Sequence, residues 1–143
     1  MSQNSFKRII LPVDGSISSM NAAKKSIFLS KKLDIPLLSI YVVEKRRLLK
    51  FTSSTEYNRW KRETEEEAQK NLNRIEKLAS ERNVDVKTMV LHGAPSEEII
   101  KQVNKNDLIV MGSKGHSSLD RILLGSVSET VIHHADSTVM IVK

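Results

Sequence analysis

Short apolar runs alternate with longer amphipathic stretches along the whole chain. Lys7–Val13 reads Lys-Arg-Ile-Ile-Leu-Pro-Val, a β-branched run bounded by turn residues, and predicts a buried strand. Asp14-Gly15-Ser16 breaks it. A helical pattern follows, with Ala23, Ile27 and Phe28 on one side, four lysines on others, and Ser16 or Ser18 as its cap. Asp34-Ile35-Pro36 ends it, and Leu37–Val43 is the second strand. Glu44–Thr55 is a polar, basic connection. From Glu56 to about Arg82, apolar Ala68, Leu72, Ile75 and Ala79 step by three or four, which predicts a long helix.

Val84–Leu91 is the third strand and His92–Pro95 a turn. Pro95 suits a first helical turn, and Glu97 and Glu98 favour the positive end of a helix that runs to about Val103. Asp107–Met111 is the fourth strand, ending at Gly112. A loop, a helix from Ser126 to about His134 and a last strand, Thr138–Val142, complete the chain. Strands alternating with helices imply an α/β fold with a parallel sheet and right-handed crossovers. Ligands bind such sheets beyond the carboxyl ends of the strands, where the winding reverses.

Composition changes this picture little. The chain has 143 residues, which fits one domain spanning 1–143. Aromatics are only 4%, so the core is built from aliphatic side chains. The absence of cysteine excludes disulfides, thiolate metal sites and a cysteine nucleophile. The polar N-terminus is not a signal peptide, and no run approaches the ~20 apolar residues of a membrane span, so a cytoplasmic protein is expected. The net charge of +6 attracts polyanions, yet Glu63–Glu67 offsets the basic cluster Arg59–Arg62 at once. The Trp60 segment therefore reads as a solvated helix face, and a nucleic-acid surface is not expected.

The candidate chemistry lies after the fourth strand. Gly112 and Gly115 follow that strand closely, and Gly125 precedes a helix start. Glycine brings the backbone close to a phosphate and adopts positive φ. The helix start supplies unpaired N–H groups and the positive dipole end, which together make an anion site. Ser126 with Glu129 matches a capping box, and Lys114 adds a cation for a polyphosphate tail. The same residues also fit a bare strand end, a tight turn and a cap in a generic α/β domain, or a site for a different anion. Neither G-x-x-x-x-G-K-[ST] nor G-x-G-x-x-G occurs, so the Walker loop and the dinucleotide fingerprint are excluded. His92, His116, His133 and His134 do not stand at metal-ligand spacing, and no set of metal ligands or Ser-His-Asp arrangement emerges.

The G-x-x-G, nine residues, G-[ST] spacing of Gly112, Gly115, Gly125 and Ser126 resembles the universal stress protein family, in its ATP-binding branch. Residues 10–16, Ile-Leu-Pro-Val-Asp-Gly-Ser, 109–115, Ile-Val-Met-Gly-Ser-Lys-Gly, and 123–128, Leu-Leu-Gly-Ser-Val-Ser, extend the likeness to nearly the whole chain. The resemblance implies a Rossmann-like, doubly wound sheet in order 3-2-1-4-5 with four helices, similar to the adenine nucleotide alpha hydrolases. It implies ATP, or AMP or ADP, at the switch between strands one and four. Pro12, Val13 and Asp14 would lie along the adenosine, with Asp14 near the ribose, and Val42 would touch the adenine. Gly112, Ser113, Lys114, Gly115, His116, Ser117 and Ser118 would wrap ribose and phosphates. Gly125, Ser126, Val127 and Ser128 would hold phosphate at the helix start, with Mg²⁺ accompanying it.

The family further implies a homodimer paired through Thr138–Val142, although members often carry proline where this chain has Thr138. A nucleotide-responsive regulator of the stress response is the expected function. A slow ATP hydrolase or phosphotransferase, and an interaction module stabilised by nucleotide, are the alternatives. Asp14 is expected to be a ribose ligand or turn-former rather than a catalytic acid or base.

Overall fold

The structure is a computed structural model and describes residues 5–44, 51, 53–114 and 124–143. Nine elements follow one another: β1 (Arg8–Val13), α1 (Ile17–Leu33), β2 (Leu37–Glu44), α2 (Ser54–Glu81), β3 (Val86–Gly93), α3 (Pro95–Gln102), β4 (Asp107–Gly112), α4 (Ser126–His134) and β5 (Thr138–Val142). The five strands form one sheet in order β3-β2-β1-β4-β5, and every neighbouring pair is parallel.

Strand alternation divides the core between the two faces. Ile9, Leu11, Val13, Leu108 and Val110 meet Ala22, Ala23 and Ile27 of α1 and Leu72, Ile75 and Ala79 of α2 on one face. Ile10, Ile40, Ile109 and Met111 meet Ile99 of α3 and Val131 of α4 on the other. The central strands β1 and β4 therefore read as continuous apolar runs, as strands covered on both faces must.

The helix ends follow ordinary capping chemistry. Ser16 caps α1 by accepting from the Ser19 N–H, and Asp34 closes it in the left-handed region at φ 53°. Ser53 caps α2, which begins two residues earlier than the apolar pattern predicts. The long helix outruns its sheet. Its 28 residues span about 42 Å, against about 26 Å for an eight-residue strand. Glu65 pairs with His92 near the carboxyl end of β3, so residues 54–64 project past the sheet. There Phe51, Tyr57 and Trp60 pack on one another with centroids 5.4–5.8 Å apart. Phe28, read from the sequence as facing inward, is 48% exposed.

At the amino end of the sheet, Asp107 is almost fully buried and holds three donors. Arg8 Nε and Nη2 reach its two oxygens at 3.0 Å each, and the Asn104 N–H reaches Oδ2 at 2.7 Å. The guanidinium also donates to the Gln102 carbonyl at 2.7 Å. This fork ties β1 to the α3–β4 turn where the two central strands start to pair. Asp107→Ala strands the Arg8 charge and the Asn104 N–H, and is expected to cost about 3 kcal/mol. A urea titration showing a lower midpoint at unchanged slope checks it.

Candidate functional site

β1 and β4 pair only from Arg8↔Asp107 to Ile10↔Ile109, although β1 continues to Val13 and β4 to Gly112. Their carboxyl halves part while each keeps its other neighbour. β1 stays with β2 to Val13↔Tyr41, and β4 stays with β5 to Gly112↔Val142. The connections also turn to opposite faces here, since α1 and α2 cover one side and α3 and α4 the other. A crevice at the carboxyl end of β1 and β4 results, the place where open α/β sheets receive ligands.

The loop after β1 forms one lip. Gly15 sits at φ 84°, and the Asp14 carboxylate accepts from the Ser16 N–H at 2.9 Å. This is an Asx turn, in which a short carboxylate satisfies the backbone ahead of a helix. The two serines at the start of α1 then reach across. Ser16 Oγ and Ser18 Oγ donate to the Lys114 carbonyl at 3.1 and 2.8 Å, and the Lys114 N–H donates to Ser18 Oγ at 3.2 Å.

Gly112 allows that bridge. A Cβ there would lie 2.5 Å from Ser18 Oγ and 2.7 Å from the backbone at Ser18 C and Ser19 N. Its sequence reading emphasised room for a phosphate; the structure shows room for the start of α1. Ser113 holds two further partners: its N–H donates to the Val142 carbonyl at 2.9 Å, and its carbonyl accepts from the Gly125 N–H at 2.7 Å. The base of the loop is thus pinned to α1, to β5 and to the start of α4. Gly115, His116, Ser117 and Ser118 lie outside the described residues.

At the start of α4 the expected capping box is corrected. Gly125 is the N-cap, Ser126 is the first helical residue, and no side chain caps the helix. A glycine cap leaves the first-turn N–H groups without a competing hydroxyl. Ser128 is buried, and its Oγ donates to the Gly112 carbonyl at 2.8 Å, which ties α4 to the end of β4. Val127 packs on the α3–α4 side of the core, as does Val42. The structure thus joins Lys114 to the loop after β1 through Ser16 and Ser18, and Ser113 to Gly125, at one crevice; Asp14 is bonded to Ser16, and Pro12 and Val13 lie on the strand below it. The turn expected at His92 is also corrected: β3 runs on through His92 to Gly93, pairing with Val43 and Glu44.

Two neighbours of the site carried no clear sequence signal. Tyr41 pairs with Val13 across β1 and β2 and packs on the α1–α2 side of the core. Burial, and then the carboxylates of Glu67 and Asp14, push its phenol above the ordinary tyrosine value. Ile17, 84% exposed, opens α1 at the lip of the crevice. Among the described residues, no three His, Cys, Asp or Glu side chains gather into a metal site, and no helix is long and apolar enough to cross a membrane.

Comparison with known proteins places this architecture. The sequence profile described as the universal stress protein family matches residues 5–143. Universal stress protein MJ0531 of Methanocaldococcus jannaschii is 38% identical over 143 residues, covering 99% of this chain and 84% of that one. The solved structure of MJ0577, from the same organism, has a TM-score of 0.80 at 31% identity and covers 96% of each chain. A universal stress protein solved in complex with cAMP has a TM-score of 0.71 at 22% identity, covering 97% of this chain and 98% of that one.

Gly112→Ala forces the start of α1 away from β4 and is expected to destabilise the fold by about 2 kcal/mol. Thermal melting, with Ser18→Ala as the comparison that breaks the bridge without the clash, checks it. The Tyr41 shift has its own signature. Its folded value is raised, so the unfolded chain loses this proton first, and stability falls as pH rises through and above 10. Tyr41→Phe should flatten that alkaline limb in urea titrations run across it.

Proposed function

The chain belongs to the universal stress protein family, and we propose that it is an ATP-binding regulator whose nucleotide occupies the crevice between β1 and β4. The observation that carries this reading is the joining of three backbone segments at one point. Asp14–Ser18, Ser113–Lys114 and Gly125–Ser126 converge through the bonds from Ser16 and Ser18 to Lys114 and from Gly125 to Ser113. The fold it shares with a family protein solved with cAMP adds support, as does the likeness to the MJ0577 structure.

In this reading Pro12 and Val13 lie along the adenosine, Val42 touches the adenine, and the Asp14 carboxylate takes the ribose hydroxyls. Phosphates lie at the glycine-capped start of α4, on the N–H groups of Ser126, Val127 and Ser128. The buried Ser128 hydroxyl holds the helix in place while its N–H faces the anion. Lys114 supplies a cation, and Gly115–Ser118 complete the wrap. Mg²⁺ keeps most of its shell from water and phosphate oxygens, which suits a crevice with few carboxylates. Occupancy of the crevice alters the surface that a partner reads.

One observation favours a linked homodimer. β5 is an edge strand with apolar, half-buried Val139–Val142, and the Val142 carbonyl accepts from the Ser113 N–H. An edge of this kind invites pairing with a second copy, and here it is bonded to the base of the nucleotide loop.

Isothermal titration with ATP and AMP tests the proposal. We expect saturable binding of ATP below millimolar concentration, and Asp14→Ala to weaken it about tenfold, the loss of one hydrogen bond to a charged group. No heat at millimolar ATP would sink the reading. Phosphate release above the buffer rate by wild type, abolished in Asp14→Ala, would turn the regulator into a hydrolase.

A further inference from the structure

The outer face of α1 carries a second arrangement, far from the crevice. Phe28 lies at its centre, 48% exposed. On a helix each residue is ringed by the positions three and four before and after it. For Phe28 those four positions are Lys24, Lys25, Lys31 and Lys32, all exposed lysines. No acidic residue occurs within the 17 residues of α1, and Asp34 stands just beyond its end. Among the described residues none of the four lysines forms an ion pair.

Part of this face, toward the end of α2, is indented. Ile27, Phe28, Lys31, Lys32 and Arg82 line a depression of about 230 Å³. Ile27 and the Phe28 ring make an apolar floor. Lys32 Nζ stands 5.9 Å from the ring centroid. Lys31 Nζ donates to the Arg82 carbonyl at 2.8 Å, which fixes one cation against the end of α2 and closes that side of the hollow.

We propose that this hollow is a docking site for an acidic peptide segment that presents an apolar side chain between carboxylates. The apolar side chain enters the floor, and its flanking carboxylates meet the lysine ring and the Arg82 guanidinium. Charge complementarity selects the sign of the partner. The concave, side-chain-sized shape selects a peptide over a lipid surface, which is met by a protruding apolar anchor. Nothing in this requires nucleotide: Phe28 is ten residues, about 15 Å of helix, from Ser18 at the crevice.

A fluorescein-labelled peptide alternating glutamate with leucine and phenylalanine tests the site by anisotropy, using the full chain. We expect saturable binding at low salt that weakens as salt rises. Lys31→Glu combined with Lys32→Glu, and separately Phe28→Ser, should each weaken it about tenfold or more, as loss of the charge partners or of the apolar floor requires. Lys70→Glu, on an exposed part of α2, should leave it unchanged, and ATP titrations should not distinguish the Phe28 and lysine variants from wild type. Equal affinity for an all-glutamate peptide would overturn the proposal. So would indifference to the two variants, or binding to phosphatidylserine vesicles without binding to the peptide.

Discussion

The crevice depends on one close approach, that of Gly112 to the first turn of α1. A Cβ at Gly112 would collide with backbone atoms of Ser18 and Ser19, which no rotamer change can relieve. Because that space is open, Ser18 Oγ exchanges hydrogen bonds with both the N–H and the carbonyl of Lys114. Because Lys114 is held there, the chain leaves β4 toward α1 rather than continuing along β1. The early end of β1–β4 pairing at Ile10↔Ile109 is then stable: each strand keeps a partner on its far side, and the gap is bridged by serine hydroxyls. Polar groups at a sheet's end need such partners, and here side chains supply them.

Anchors at opposite ends of the sheet divide the work. At the amino end, the Arg8–Asp107 fork draws the two central strands together with charge-assisted bonds on a buried carboxylate. At the carboxyl end, neutral serine bonds hold the same strands' outgoing loops while the strands separate. Strong bonds thus sit where the sheet must be closed, and weaker ones where the proposed nucleotide would enter. Side chains at the mouth, such as Asp14 and Ser16, are already engaged with local backbone, so the turn is formed before anything binds. A preformed turn lowers the ordering cost of binding.

Much of this was legible in the sequence because the apolar runs are short, bounded and aliphatic. All nine elements can be read at their places, from apolar patterning and turn and helix-start signals, and the differences are at the ends: β3 runs Val86–Gly93 rather than Val84–Leu91, and α2 starts at Ser54. The sheet order rested on the family resemblance, since alternation alone fixes parallel pairing and not which strand is central. Local motifs failed where a distant contact decided the outcome. Ser126 with Glu129 has the letters of a capping box, yet the Gly125 N–H is drawn to Ser113, which makes glycine the cap. The Ser128 hydroxyl is likewise taken by a distant contact, the Gly112 carbonyl, which the local sequence does not show. Phe28 fell within the helical period yet faces outward, because the alanines at 22 and 23 and Ile27 already fill the contact with the sheet. Gly112 itself was legible as a glycine but not as a contact with α1, which lies more than ninety residues away in sequence.

The bond between the Ser113 N–H and the Val142 carbonyl joins the two parts of the proposed function. Ser113 also accepts from Gly125, so one residue stands between the edge strand and the first turn of α4. In the proposed reading, a ligand that pulls on the Gly125–Ser126 backbone would act on Ser113, and through it on the end of β5. In the proposed dimer, a second chain along β5 would restrain that strand from its other side. The two events need no long path, because they share a residue, and any coupling between them is reciprocal by linkage. What α1 adds is rigidity. Asn21 Nδ2 donates to the Lys143 carbonyl at 3.1 Å, so the helix whose start braces Lys114 also holds the residue after β5. Crevice and edge are therefore fixed to one helix, and a displacement at either is felt against the same support.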